Sequence, residues 1–185
     1  LAYAEELPFV PKFARVRELL TSGALGGPVY VTQREAHAGP HSPWFFSRDE
    51  AGGGVLMDMA CHSIECLRWL LGKPGVRSVT AQLSCTAHGH QTKLEDHAVV
   101  HLEFDGGVGG LVEASWALEG GMQSRLEVWG ARGYAEADVL QGTGLRVFAK
   151  DGGVPFTPSG GWSTPPSDWL WENGYPQELA HFLHC

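Results

Sequence analysis

From residue 76 onward the apolar residues of this chain recur at every second position. Val79, Ala81 and Leu83 alternate with polar neighbours, and similar alternation runs through 97–104, 108–118, 125–129, 134–139 and 145–149. A period of two is that of a strand with one face packed and the other wet. Glycine-rich turns join these segments: Asp105-Gly106-Gly107, Glu119-Gly120-Gly121, Gly130 to Gly133, and Asp151-Gly152-Gly153. Connections that short force antiparallel neighbours, because a parallel pair needs a crossover of about a dozen residues or more. The second half therefore predicts one open antiparallel sheet of about five or more strands.

The first half carries the helical period instead. Residues 11–20 place Phe13, Val16, Leu19 and Leu20 at helical spacing, with Pro11 suited to the first turn and Gly23 to the residue after the end. Val29-Tyr30-Val31-Thr32 reads as a strand running toward His37, then Gly39-Pro40 breaks it ahead of a loop holding Trp44, Phe45 and Phe46. A second helix is predicted over 54–71, closed by Gly72 and Pro74. Residues 156–175, rich in Pro, Ser, Gly and Trp, read as a long ordered loop. The expected class is α+β: an open, mainly antiparallel sheet with helices packed on one face. Its other face, carrying Val99, His101 and Glu103 or their opposite-parity partners, meets solvent or a second subunit.

The 185 residues, 43% hydrophobic and 18% charged, suit one folded domain over 1–185. A net charge of −8 argues against nucleic acid or an anionic membrane as the partner and favours a small ligand. Cys61, Cys66, Cys85 and Cys185 form no CxxC pair, so free thiols and a cytoplasmic location are expected. No apolar run approaches the ~20 residues of a membrane span. Residues 1–7 read as the end of a preceding unit and 177–183 as a helix running to the last residue, which suggests an excised piece.

Chemistry concentrates in Gly52-Gly53-Gly54-Val55-Leu56-Met57-Asp58-Met59-Ala60-Cys61-His62-Ser63-Ile64-Glu65. On an ideal helix Asp58, His62, Glu65 and Trp69 fall within about 60° of one another, with Leu56, Ala60, Ile64, Leu67 and Leu71 roughly opposite. The glycines are expected to leave the first-turn N–H groups free to face a ligand. Asp58 lies where the helix dipole favours an anion, and an acid four residues from a histidine can serve as partner to a general base. The same pair can equally do no more than solvate a helix face. His88, His90, His97 and His101 do not make a metal site, since four residues along a strand span ~13 Å, and no metal is expected at Asp58, His62 and Glu65 either.

This run, with Trp44 eight positions before Gly52, resembles the W-x7-GGG-x3-D-x3-H pattern of the glucose-fructose oxidoreductase and inositol dehydrogenase (Gfo/Idh/MocA) family. Leu19-Leu20-Thr21-Ser22-Gly23-Ala24-Leu25-Gly26 is similar to its entry into the second domain, and Glu95-Asp96-His97, Phe104-Asp105-Gly106-Gly107 and Glu113-Ala114-Ser115-Trp116 to its sheet. The resemblance implies the C-terminal domain of a sugar or polyol dehydrogenase using NAD or NADP, with His62 removing the hydroxyl proton and Asp58 positioning substrate or tuning the imidazole. It further implies substrate contacts from Trp44, His37, Glu65 and His41, although His37 and His41 also read as plain loop residues. A homo-oligomer built sheet to sheet is implied as well.

The departures are specific. No GxGxxG follows a strand, the EKP lysine is absent, Glu6 stands where many relatives have Asn, and Phe45 replaces an arginine, which suggests an aromatic sugar platform. Trp44, Trp162, Trp169 and Trp171 lie in expected loops where stacking on a sugar is feasible, whereas Trp69 and Trp129 suit core or interface. By this reading the fragment alone holds no dinucleotide and is inactive. The alternative is a non-catalytic binding or assembly module that has lost its cofactor half.

Overall fold

The alternating segments become strands β2 (Val76–Ser84), β3 (His97–Phe104), β4 (Gly109–Ser115), β5 (Gln123–Gly130), β6 (Gly133–Asp138) and β7 (Leu145–Ala149), joined by β1 (Pro28–Ala36) from the first half and by β8 (Gly161–Ser163), a short strand within the segment expected to be a loop. The computed structural model describes residues 4–140, 144–150, 160–164 and 173–185. The turn expected at Asp151-Gly152-Gly153, the centre of the 156–175 loop, and Trp169 and Trp171 lie outside them. The strands form one sheet in the order β2-β3-β4-β1-β5-β6-β7-β8.

One pairing departs from the expectation drawn from short turns. β4 and β5 are not neighbours: β1 lies between them, parallel to β4 with Gln33 opposite Val112, and antiparallel to β5 with Gln33 opposite Leu126. The helical segment after β1 supplies the long crossover that a parallel pair requires. Insertion also satisfies both edges of β1, whose Val31, Gln33 and Glu35 are buried.

Helix α1 (Pro11–Thr21), preceded by a 3-10 turn at Leu7–Phe9, buries Phe13, Val16 and Leu19 against β5 and β6. Its buried Lys12 donates from Nζ to the carbonyls of Asp138 and Val139, at 3.1 and 3.2 Å. After the aromatic loop come a short helix, α2 (Arg48–Ala51), a π turn (Leu56–Ala60) and α3 (Cys61–Leu70), which packs on β1 and β4. A last helix, α4 (Tyr175–His184), lies by the 3-10 turn. The core between helices and sheet is built around Trp116, Phe13, Phe104, Leu67 and Leu126. None of the described helices is long and apolar enough to cross a membrane.

The π turn corrects the expected helix face. Its i→i+5 bonding admits an extra residue, so the buried set is Met59, Ala60, Ser63, Cys66, Leu67 and Leu70 rather than Leu56, Ala60, Ile64, Leu67 and Leu71. Trp162 is likewise not in a loop. It sits on β8 against Tyr134 and Phe148, with the Arg146 guanidinium 4.7 Å above its ring.

The N–H groups of Gly54, Val55 and Leu56 are not free. Gly54 and Leu56 donate to Glu95 Oε1 at 3.0 and 3.3 Å, and Val55 donates to the Glu95 carbonyl at 2.9 Å. A methyl group on Gly54 would collide with that carbonyl oxygen, which is rigid backbone. Gly54→Ala is therefore expected to destabilise the fold by about 1–3 kcal/mol, as overpacking does. A thermal melt unchanged from that of the parent chain would show that the helix start yields.

Candidate active site

The π turn and the first turn of α3 contribute Met57, Asp58, Cys61 and His62 to a cleft of about 290 Å³ that is also lined by Trp44 and Phe45 of the aromatic loop. Trp44 and Phe45 stack with ring centroids 3.8 Å apart, a flat apolar wall of the kind that packs against the C–H face of a sugar ring.

Asp58 and His62 share this cleft but have different partners. The Asp58 Oδ2 accepts from Trp116 Nε1 at 2.9 Å, and Trp116 is fully buried at the end of β4. His62 Nδ1 faces Glu5 Oε2 at 2.8 Å, with Glu6 Oε2 at 3.8 Å. The hydrogen bond to Glu5 outweighs the burial of the ring and, with the nearby charges of Glu5, Glu6 and Glu35, pushes the imidazole up to about 9. Behind them Glu35, 3% exposed, accepts from Ser124 Oγ at 2.7 Å, and burial pushes its carboxyl up to about 7.

The remaining sequence candidates separate. His37 accepts from the Gly39 N–H at Nδ1 (3.0 Å) and stacks on His41 with centroids 6.0 Å apart. Burial lowers the His37 proton affinity, and the charge of Asp58 partly restores it. Glu65 turns away from the cleft of His62: it pairs with Lys73 at 2.7 Å and Arg68 at 2.9 Å and lines an adjacent cleft of about 640 Å³ that includes Glu5, Cys61 and Trp69. The structure thus joins Asp58, His62 and Trp44 in one cleft, stacks His37 on His41 with His37 within reach of the Asp58 charge, and places Glu65 among cations next door.

Glu5, Glu6, Glu35 and Trp116 were not selected from sequence. A readable signal existed for two of them: Glu35 shares strand parity with Val31, which marks a buried carboxylate, and Trp116 closes the Glu113-Ala114-Ser115-Trp116 motif. Glu5 had no local signal and Glu6 stood out only as a departure from the family's Asn, since their partner is 57 or 56 residues away in sequence.

A helix carrying an acid and a histidine over an open, mainly antiparallel sheet defines an α+β domain with its candidate site on the helix side. The family profile of the GFO/IDH/MocA C-terminal domain matches residues 13–136, and the chain belongs to that family. It is 26% identical to scyllo-inositol 2-dehydrogenase (NAD(+)) of Bacillus subtilis strain 168, over 96% of this chain and 49% of the relative. It is 32% identical to D-glucoside 3-dehydrogenase of Escherichia coli K12, over 69% of this chain and 40% of the relative. The crystal structure of GenD2 from gentamicin A biosynthesis, in complex with NAD, superposes with a TM-score of 0.80 at 36% identity, covering 99% of this chain and 52% of that one. The chain spans about half the length of these relatives.

Both raised groups make stability fall with rising pH. His62 gains its partner only when folded, so its contribution is complete below the unfolded value of 6.5 and is lost as pH rises through about 9. Glu35 is held protonated in the fold, and stability falls as the unfolded chain ionises above 4.5, until about 7. The melting temperature is expected to decline from pH 5 to pH 9, and Glu35→Gln to flatten the part below pH 7. A melting curve series that rises over that window, or a Glu35→Gln series parallel to the parent, contradicts these assignments.

Proposed function

We propose that this chain is the substrate-binding and proton-handling domain of an NAD(P)-dependent dehydrogenase acting on a hydroxyl of a sugar, polyol or related compound. The observation that carries this reading is the convergence of Asp58 and His62 on one aromatic-walled cleft, Asp58 anchored by the buried Trp116 and His62 by the half-buried Glu5. The names of the relatives, for scyllo-inositol and D-glucoside, favour a hydroxylated ring as substrate. The NAD complex of GenD2 favours a nicotinamide cofactor.

The described residues do not themselves form a dinucleotide cradle. Gly106, Gly107, Gly109 and Gly110 turn β3 into β4 instead of leading a strand into a helix. This chain's share in the reaction is therefore the substrate and its proton, with NAD or NADP held outside these residues and the isolated domain inactive. Trp44 and Phe45 receive the ring. Asp58, fixed by Trp116, accepts a hydrogen bond from a substrate hydroxyl. His62, whose Nδ1 is engaged by Glu5, presents Nε2 to the hydroxyl under oxidation. As the carbon loses its hydride, the O–H bond breaks, the proton passes to Nε2 and the oxygen becomes a carbonyl. The outer sheet face, laddered by Arg34–Glu113, Arg125–Glu136 and Arg146–Glu136 pairs, is the face expected to meet a second copy.

In the whole enzyme His62→Ala is expected to lower alcohol oxidation about 10²- to 10⁴-fold, as loss of a general base does, with NAD affinity nearly unchanged. Because His62 must first lose its proton, kcat/KM for oxidation should rise with pH up to about 9. Undiminished turnover in His62→Ala, or a pH profile of oxidation that is flat through that range, would remove His62 from this role.

A further inference from the structure

A cavity of about 440 Å³ opens where α2 meets the loop between β2 and β3. Its lining includes Arg48 of α2 and His90 and Lys93 of the loop, and no carboxylate. Such a lining stands out on a chain of net charge −8, where Arg34, Arg68, Arg77, Arg125 and Arg146 each have a carboxylate oxygen at 3.5 Å or less. Arg48 and Lys93 have no ion pair among the described residues. The nearby acids are engaged elsewhere. Glu95 holds the N–H groups of Gly54 and Leu56, and Asp96 those of Thr86, Ala87 and His88. Asp49 and Glu50, next to Arg48 in sequence, do not line the cavity.

The walls are fixed by hydrogen bonds. Thr92 and Leu94, each 8% exposed, form the floor. Thr92 Oγ1 donates to the Phe46 carbonyl at 2.9 Å and accepts from the Leu94 N–H at 3.1 Å, while the Gln91 and Thr92 N–H groups close a turn on the His88 carbonyl. Phe46, which also lines the cavity, packs edge-on against the buried Trp116 with ring centroids 5.9 Å apart. Gly89 and His90 lie in the turn, and their N–H groups have no acceptor among the described residues. Gln91 Nε2 donates to His90 Nε2 at 2.9 Å, so the neutral ring carries its proton on Nδ1. The lining therefore offers a guanidinium, an ammonium and several N–H donors beside the apolar surface of Phe46 and Leu94. A cation is repelled by such a lining. An oxyanion satisfies it, because a guanidinium fork matches two oxygens of a carboxylate or phosphate.

We propose that this cavity binds the phosphate or carboxylate group of a small molecule, gripped between Arg48 and Lys93. The site is independent of the dehydrogenase reading, since the cavity shares no lining residue with the cleft of Asp58 and His62. It touches that cleft only through the chain: Arg48 closely follows Trp44 and Phe45, so an anion held by both cations ties the segment bearing the aromatic wall to the β2–β3 loop.

The test is titration of the chain at pH 7 with inorganic phosphate and, separately, with citrate, at constant ionic strength and followed by backbone amide shifts. The Gly89, His90 and Lys93 amides are expected to move along saturable curves. Arg48→Gln and Lys93→Gln, each checked by thermal melting for an intact fold, should weaken binding about fivefold or more, as loss of a charged hydrogen-bond donor does. Arg77→Gln removes the same charge from the exposed strand β2 and should leave the affinity unchanged. Tighter binding of phosphate assigns the site to a phosphate-bearing ligand, and tighter binding of citrate to a carboxylate-bearing one. Shifts that grow without saturation, or an affinity that falls as far in Arg77→Gln as in Arg48→Gln, reduce the effect to general attraction of anions by surface charge and overturn the site.

Discussion

The anchoring of the site helix by Glu95 is the interaction on which the rest depends. A helix start leaves its first N–H groups without intrahelical partners, and one residue at the entry to β3 takes three of them, two on its carboxylate and one on its carbonyl. The next residue does the same for the loop before it: the carboxylate of Asp96, wholly buried, accepts from the backbone of Thr86, Ala87 and His88. Those N–H groups hold its carboxyl below the usual range despite burial. The Asp96 carbonyl in turn accepts from the Trp116 backbone N–H. Two consecutive acids thereby fix the helix start and the tryptophan that meets it, and the Asp58 to Trp116 bond follows from both.

The sheet was legible because alternation and glycine turns are local signals. The place of β1 was not, since the choice between pairing β4 with β5 and admitting a third strand between them rests on long-range contacts. Gln33 and Glu35 settle that choice physically: both are buried on the helix side, and Ser124 Oγ of β5 bonds them, donating to Glu35 and accepting from Gln33 Nε2. The π turn was illegible for a related reason. Nothing in the spacing of Leu56 to Ala60 distinguishes it from an α turn, and only the packing of Met59 and Ser63 against the sheet reveals the added residue.

The site was legible in its types and only partly in its partners. Asp58 and His62, read as an acid aiding an imidazole, do line one cleft, yet the carboxylate bonded to the imidazole is Glu5. Sequence spacing reports neighbours on one element and is silent on a chain segment folded back across it. Glu65 shows the converse. It shares the ideal-helix face of His62, but Lys73, at positive φ just past the helix, draws it into an ion pair on the adjacent surface.

The proton on His62 ties these observations together. An oxidising dehydrogenase needs an imidazole that is empty at Nε2, whereas the carboxylates of this domain favour the doubly protonated ring at neutral pH. Each carboxylate that strengthens proton binding makes the imidazole a stronger base and at the same time raises the cost of starting the reaction from the protonated state. The same Glu5 bond that fixes the orientation of the ring therefore sets the pH at which its far nitrogen becomes available.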